Sequence, residues 1–248
     1  MLKALDTRGR EVLGWDAQRG QTYCCPECGA GLVFKAGMLV TPHFAHGAGS
    51  ACPLATGESP RHMEMKHQVA KIFPPALFEI QAAPGRWADL VLGDKIVVEC
   101  QASPIAVDEW IARTKEYNAA GRLVLWVWDL RRLGVDDEEP AFWLVDSERE
   151  YRVPADVRYC HQVSYGHLYV LDSDGDLRAC HLDRASERLI DWDEAPYSGY
   201  TPKTLKHLVF TPTPLRPQLL RNGKANLSLC QLGEGVWWKV DKEGWPRS

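Results

Sequence analysis

The chain has 248 residues, of which 45% are hydrophobic and 25% charged, proportions that are ordinary for a globular protein. Its formal net charge of −4 gives no support for non-specific nucleic-acid binding, although a local basic patch would still allow it. No apolar run is long enough to span a membrane and no signal-peptide hydrophobic region is present, so we expect a cytoplasmic protein without a membrane partner. In such a chain, eight cysteines indicate a metal site rather than disulfides.

The first motif in chain order is a group of cysteines and histidines. Cys25-Pro-Glu-Cys28-Gly29 is typical of a zinc knuckle, in which two thiolates bind one ion and the glycine allows a sharp turn. His43-Phe-Ala-His46 and Cys52 follow, and Cys24 is expected to point away. We predict that the four zinc ligands are Cys25, Cys28, His46 and Cys52, with His43 as a substitute for either of the last two. Reduced cysteines in a loop are the weaker alternative, because so polar a segment would not order without a metal.

Residues 57–73 are predicted to form a helix with Ser59 as its N-cap, Pro60 at its first position and Pro74 beyond its end. His62 and Lys66 fall four residues apart on one face, and Glu58 lies near the start of the same side. Without further context, this pattern indicates a solvated face with a salt-bridging lysine.

A short strand at 76–82 precedes a β-hairpin at 86–103, whose turn is Gly93-Asp94. Asp89 lies in the first arm and Glu99 in the second, and strand alternation places Glu99 and Gln101 on the same face. A carboxylate on each arm, with an amide two residues on, can hold a hard divalent metal. The residues alone equally allow an edge strand with ordinary surface acids.

A helix from Val107 to Ala120 and a strand at 122–129 are predicted next, with Gly121 as the helix stop. The strand is continuously apolar, which indicates a central position. We expect it to run parallel to the Ile96–Gln101 strand, because the helix between them is long enough for a right-handed crossover. The predicted order is therefore helix, strand, strand, strand, helix, strand.

The acidic run Asp136-Asp-Glu-Glu139 is predicted to mark a domain boundary. Asp172-Ser-Asp-Gly-Asp176 predicts a hairpin turn, because no glutamate stands where a calcium loop needs one. Cys160-His161 and Cys180-His181 have no close-spaced partner, so we do not expect a second metal there. Alternating segments beyond the boundary predict four strands, at Ala141–Val145, Leu168–Asp172, Asp176–Leu182 and Val236–Val240.

Taken in order, these motifs resemble the CoiA-like competence protein family over roughly residues 1–130. The resemblance is carried by Tyr23–Cys28, His43–His46, Glu58–His62 with Lys66, Arg86–Asp89, Glu99–Ser103, Arg113, Tyr117 and Leu125–Trp128. That family is similar to PD-(D/E)xK nucleases. The resemblance implies an α/β fold with a restriction-endonuclease-like αβββαβ core at 57–135. An N-terminal zinc-binding β module would occupy 1–56, and a β-rich C-terminal region 136–248.

The function implied by the resemblance is a metal-dependent DNA nuclease acting in DNA processing, competence, recombination or defence. Asp89 and Glu99 would bind one or two Mg²⁺ or Mn²⁺ ions, while the zinc would be structural. Gln101 replaces the usual lysine of the catalytic strand and would orient the attacking water. The remaining site residues would be Glu58 as a further metal ligand, His62 holding that metal or a phosphate, Lys66 supplying positive charge, and Arg113 and Tyr117 positioning the substrate.

Two other functions stay open on the sequence. One is a DNA-binding adaptor that keeps the nuclease fold without cutting and works with a recombinase or helicase. It is motivated by Gln101 and by the acidic net charge. The other, weaker one is that residues 140–248 form a β-rich protein-interaction module.

Overall fold

The computed structural model of the chain describes residues 1–38, 40–55, 57–135, 149–164, 166, 168–184, 205–210, 214–215, 219–220 and 224–225. The predicted strands Ala141–Val145 and Val236–Val240 and the acidic run at 136–139 lie outside the described residues. Within the described part of the chain, no helix is both long and apolar enough to cross a membrane.

The N-terminal region is an antiparallel sheet of five short strands. They are β1 (Lys3–Leu5), β2 (Glu11–Leu13), β3 (Tyr23–Cys24), β4 (Gly31–Gly37) and β5 (Val40–Ala45). Their spatial order is β2-β1-β3-β4-β5. The apolar core of this sheet is small, and its aromatic part consists of Tyr23, Phe34 and Phe44, with ring centroids 4.9–6.0 Å apart. So little buried surface provides limited stability, which is why a cross-linking metal would matter here.

The next elements follow the order predicted from the sequence. They are α1 (Pro60–Ile72), β6 (Ala76–Ala83), β7 (Arg86–Leu92), β8 (Ile96–Gln101), α2 (Val107–Ala119) and β9 (Leu123–Asp129). The hydroxyl of Ser59 accepts a hydrogen bond from the His62 N–H at 3.1 Å, which confirms the predicted N-cap. Strands β6, β7 and β8 are antiparallel neighbours, whereas β9 runs parallel to β8 with Val98 opposite Leu125.

Helices cover both faces of this central sheet. On one face, Met65 and Val69 of α1 pack in the same cluster as Leu125 of β9. On the other face, Trp110 of α2 packs against Trp126, with ring centroids 5.5 Å apart. Continuous apolar strands such as β9 are expected where a sheet is covered on both sides.

The described C-terminal elements add four strands to the same sheet, along with one helix and a separate pair of strands. They are β10 (Tyr151–Arg152), α3 (Ala155–Val163), β11 (Leu168–Leu171), β12 (Leu177–Arg184) and β13 (Leu205–Phe210), followed by a separate pair, β14 (Leu219–Leu220) and β15 (Lys224–Ala225). The order across the large sheet is β10-β13-β12-β11-β9-β8-β7-β6, with β11 parallel to β9. The 172–176 segment is the predicted hairpin turn between β11 and β12. The division of the chain at residue 136 stays a prediction.

Candidate functional site

The predicted zinc ligands come together at one end of the N-terminal sheet. The ligand atoms of Cys25, Cys28, His46 and Cys52 all lie within 4.8 Å of one another. Cys25 directly follows β3, and its N–H donates to the Ala30 carbonyl at 2.8 Å, which closes the knuckle turn. Gly29 in that turn has φ +70°, a conformation that favours glycine.

The spacing of these atoms fits a tetrahedral metal ion. Cys25 Sγ lies 3.8 Å from Cys52 Sγ, and Cys28 Sγ lies 3.5 Å from His46 Nε2. With Zn–S near 2.3 Å and Zn–N near 2.0 Å, a tetrahedral zinc ion separates two sulfurs by about 3.8 Å and sulfur from nitrogen by about 3.5 Å. A disulfide would instead require sulfurs about 2.0 Å apart. The cluster therefore could hold a metal such as zinc.

The other nearby candidates have different partners. His43, the predicted substitute ligand, places Nδ1 at 2.8 Å from the Thr41 carbonyl oxygen. Cys24 directs its thiol to the Leu5 carbonyl oxygen at 3.8 Å, so it points away as predicted. Neither residue belongs to the group of four.

The second site is a cleft of about 470 Å³ between the N-terminal module and the central sheet. Residues of both regions line it, including Leu54 from the module and Arg86 from the start of β7. Tyr117 lies behind the cleft wall, in contact with Glu99. The sequence-predicted site residues that line the cleft are Glu58, His62, Lys66, Asp89, Glu99, Gln101 and Arg113.

Glu58, His62 and Asp89 form a cluster that could hold a cation, with ligand atoms within 4.8 Å of one another. His62 Nε2 lies 2.9 Å from Asp89 Oδ2, and His62 Nδ1 lies 3.5 Å from Glu58 Oε1. Burial alone would raise the pKa of Asp89, but His62, Lys66 and the Cys100 N–H outweigh it and hold that pKa at about 2. Burial likewise opposes the charged form of His62, yet the neighbouring Asp89 carboxylate raises its pKa above the usual value. Asp89 is therefore ionised at neutral pH.

Lys66 lies at the floor of this cluster with a fully buried side chain. Its Nζ donates to Glu58 Oε1 at 2.6 Å and to Glu79 Oε1 at 2.7 Å, and it lies 3.9 Å from Asp89 Oδ1. Burial would lower the pKa of Lys66, but Glu79 and Glu58 outweigh that effect and raise it. The positive charge is thus directed at carboxylates of the site rather than at the cleft opening.

Glu79 is the residue that the sequence analysis missed. It is 3% exposed and accepts the backbone N–H groups of Leu2 at 2.6 Å and Lys3 at 3.1 Å, besides the Lys66 ammonium. A single carboxylate within the apolar strand Ala76–Ala83 was the available signal, because a buried charge requires a partner.

Glu99 is held separately from the three-residue cluster. Tyr117 donates its hydroxyl hydrogen to Glu99 Oε1 at 2.6 Å, and Arg113 Nη1 donates to Oε2 at 2.9 Å. Burial and the nearby Asp89 raise the pKa of Glu99 to about 7, although Arg113 and Tyr117 act in the opposite direction. Gln101 donates its side-chain N–H to the Ser103 carbonyl oxygen. The structure thus brings Asp89 and Glu99 into one cleft but gives them different partners.

The histidines of the two Cys-His pairs in the C-terminal region lie close together. His161 Nε2 lies 3.1 Å from His181 Nδ1, but the same Nε2 accepts the Leu182 N–H at 3.0 Å. His181 Nδ1 lies 2.9 Å from the Gly166 carbonyl oxygen. These ring nitrogens therefore have backbone partners, and in the described residues no group of three ligands forms there.

Two protein-family models match the part of the chain that contains this cleft. The model for "Competence protein CoiA, N-terminal domain" matches residues 10–55, and that for "Competence protein CoiA, nuclease-like domain" matches residues 58–143. Competence protein CoiA of Bacillus subtilis (strain 168) is 30% identical over 121 residues, which are 45% of this chain but only 32% of that relative. No solved structure matches the chain. The two family models together cover more than half of the sequence, and the chain belongs to the CoiA-like competence protein family.

Proposed function

We propose that the protein is a metal-dependent DNA nuclease that hydrolyses phosphodiester bonds during DNA processing in competence, recombination or defence, in the cytoplasm. The carrying observation is that Glu58, His62, Asp89 and Glu99, from three different elements and a preceding loop, line one cleft. This cleft lies within the region that matches the nuclease-like family model. The observed order of α1 and β6 to β9 supports a restriction-endonuclease-like core.

The residues present fit a divalent cation. Asp89 and Glu58 offer carboxylate oxygens and His62 a ring nitrogen, a mixed donor set that suits Mn²⁺ and, through the oxygens, Mg²⁺. Such an ion would lower the pKa of a bound water and neutralise charge on the scissile phosphate. Glu99 would join the ligands once its Oε2 exchanged Arg113 for the ion, which leaves the guanidinium at the cleft wall to contact a phosphate.

In this proposal, Gln101 and Lys66 together replace the single lysine that the catalytic strand carries in related folds. An amide cannot take a proton, so Gln101 would only orient the attacking water by a hydrogen bond. Lys66 pairs with Glu58 Oε1 at 2.6 Å and lies 3.9 Å from Asp89 Oδ1, below the cluster. In this proposal, the zinc ion bound by the four-ligand cluster is structural and supports the module that forms one wall of the cleft.

A DNA-binding adaptor that works with a recombinase or helicase is the second candidate. One observation favours it: both carboxylate oxygens of Glu99 already have partners, Arg113 and Tyr117. If that arrangement persisted with a cation and DNA present, only the three-residue cluster would remain to hold a catalytic ion.

A cleavage assay decides between the two. Wild-type protein would be incubated with linear, single-stranded and branched DNA in Mg²⁺, Mn²⁺ or EDTA, beside Asp89→Asn and Glu99→Gln. Asp94→Asn is the matched control, since Asp94 lies in the turn of the same hairpin and does not line the cleft. We expect metal-dependent cutting that falls about a hundredfold or more in the two cleft variants and not in the control. A folded, zinc-loaded wild type that binds DNA and cuts none of these substrates would instead support the adaptor.

A further inference from the structure

A continuous set of contacts joins the zinc-bearing module to the cleft floor. Leu5 of β1 pairs with Cys24 of β3, the residue before the zinc ligand Cys25. At the other end of β1, the N–H groups of Leu2 and Lys3 donate to the two carboxylate oxygens of Glu79. Glu79 in turn accepts the Lys66 ammonium at 2.7 Å, so this one carboxylate contacts both the module and the cleft.

The backbone at Glu79 is unusual in a way that indicates a specific role. Its φ is +50°, a left-handed conformation that is disfavoured for a residue other than glycine. The β6–β7 pairing registers Phe78 with Leu90 and Ile80 with Ala88 on either side of it. Strained conformations of this kind persist where surrounding contacts fix them, and they cluster at functional sites.

The charges around Lys66 show what Glu79 contributes. Lys66 Nζ contacts two carboxylates, Glu58 and Glu79, and lies 3.9 Å from a third, Asp89. A buried ammonium requires an opposite charge, because its desolvation is costly. Without Glu79, that charge would have to come entirely from Glu58 and Asp89, the carboxylates proposed to bind the cation. The ammonium, which already contacts Glu58 Oε1 at 2.6 Å, would then compete more strongly with the cation for the same oxygens.

We infer that Glu79 is a positioning residue: it fixes the Lys66 ammonium against β1 of the zinc-bearing module and supplies part of the negative charge that the ammonium needs, so that Glu58 and Asp89 can bind a divalent cation more tightly than they would without it. The inference rests on the cation site of the proposed function. It does not depend on DNA cleavage. Through Glu79, the inference also connects β1 of the N-terminal module to the chemistry of the cleft.

The test measures Mn²⁺ affinity by titration calorimetry on the full, zinc-loaded chain in the absence of DNA. In Glu79→Gln the amide oxygen still accepts a backbone N–H, but the charge is gone. Residues that support metal ligands typically change affinity ten- to a hundredfold, and we expect a loss of about that size. Glu11→Gln is the matched control. Glu11 of β2 pairs with Nζ of Lys3, in the strand β1 that Glu79 also contacts, at 3.1 Å, and it does not line the cleft. Zinc content and the melting temperature check that each variant is folded.

A double variant separates positioning from general structural support. If Glu79 acts by occupying the ammonium, then adding Lys66→Met to Glu79→Gln removes the competing charge and restores Mn²⁺ affinity to at least the wild-type level. A double variant that binds as weakly as Glu79→Gln would overturn the inference. If the double variant does not fold, the comparison of Glu79→Gln with Glu11→Gln decides alone, and equal affinities overturn the inference.

The outcomes also separate this inference from the proposed nuclease. Cation binding that depends on Glu79, in a protein that cuts no DNA, would contradict the nuclease and leave the positioning role standing. Cation binding and cleavage that are both unchanged in Glu79→Gln would contradict the positioning role alone. A wild type whose Mn²⁺ binding is absent, or is unaffected by Asp89→Asn, would overturn both.

Discussion

The Tyr117 hydroxyl lies 2.6 Å from Glu99 Oε1 and 3.1 Å from the Trp87 carbonyl oxygen. A hydroxyl group has one hydrogen to donate. It donates to Glu99 when that carboxylate is ionised. When Glu99 is protonated, the carboxyl group donates to the tyrosine oxygen, and the tyrosine hydrogen turns to Trp87. The pair can therefore satisfy both protonation states of Glu99 without moving.

This arrangement predicts how pH affects stability. The pKa of Glu99 is raised from 4.5 to about 7 by burial and by Asp89. Between those values the folded protein binds more protons than the unfolded chain, so its stability falls as pH rises through this window. Glu99→Gln removes that effect. We expect the free energy of unfolding of the variant, relative to wild type, to rise by about 3 kcal/mol from pH 4.5 to above 7. Urea denaturation across this range measures it, and the same difference in the exposed control Asp108→Asn would contradict the assignment to Glu99.

Tyr117→Phe tests the hydroxyl directly. The variant keeps the ring but loses the donor that favours ionised Glu99, so the pKa of Glu99 should rise further and its pH window should extend upward. Loss of one buried hydrogen bond should also lower stability by about 1–3 kcal/mol. The pH dependence of unfolding, compared with wild type, checks both effects. A stability loss without any upward extension of the window would show that the hydroxyl does not act on Glu99.

The zinc cluster predicts opposite results for two neighbouring cysteines. Cys28→Ser removes one of the four proposed ligands, so we expect loss of bound zinc and cooperative destabilisation of the N-terminal module. The thiol of Cys24 lies 3.8 Å from the Leu5 carbonyl oxygen and is not one of the four proposed ligands. The Cys24→Ser variant should therefore retain one zinc ion per chain. Elemental analysis and thermal melting measure both. One retained zinc ion in Cys28→Ser, at unchanged melting temperature, would contradict the ligand set.

A bidentate ion pair anchors α1 beside the cleft. Arg61 donates from Nε to Asp129 Oδ2 at 2.9 Å and from Nη2 to Oδ1 at 3.1 Å, and Asp129 is buried at the end of β9. Asp129→Asn removes the negative charge from this pair and should cost about 3 kcal/mol. Glu64→Gln removes the more exposed partner of Arg61 and should cost no more than about 1 kcal/mol. Chemical denaturation compares them, and equal losses would mean that burial does not set the strength of these pairs.

The sequence predicts what depends on short-range patterns. Ser59 and Pro60 mark the start of α1, the apolar run at 122–129 marks β9, and close spacing indicates the four cysteine and histidine residues that could hold a metal. These features are local because caps, turns and strand periodicity are decided within a few residues.

Long-range partners were not predictable in the same way. The donors to Glu79 lie 76 and 77 residues away in the chain, so no spacing rule connects them. The two partners of Glu99, Arg113 and Tyr117, lie on α2. Their contacts with Glu99 depend on the crossover that places this helix over β8, which the local sequence does not determine. Alternating residues in β11 predict a strand but do not tell whether it joins the central sheet or one of its own.

The pairing of β11 with β9 has a consequence for the solution behaviour of the chain. Val127, Trp128 and Asp129 are registered with Tyr169, Val170 and Leu171, so β9 has neighbours on both sides. A fragment ending at residue 135 would carry the whole cleft, yet it would expose β9 as a long, apolar edge. Such edges recruit strands from other molecules and promote aggregation. We therefore expect β11, which covers this edge in the full chain, to limit self-association of the part of the protein that carries the cleft.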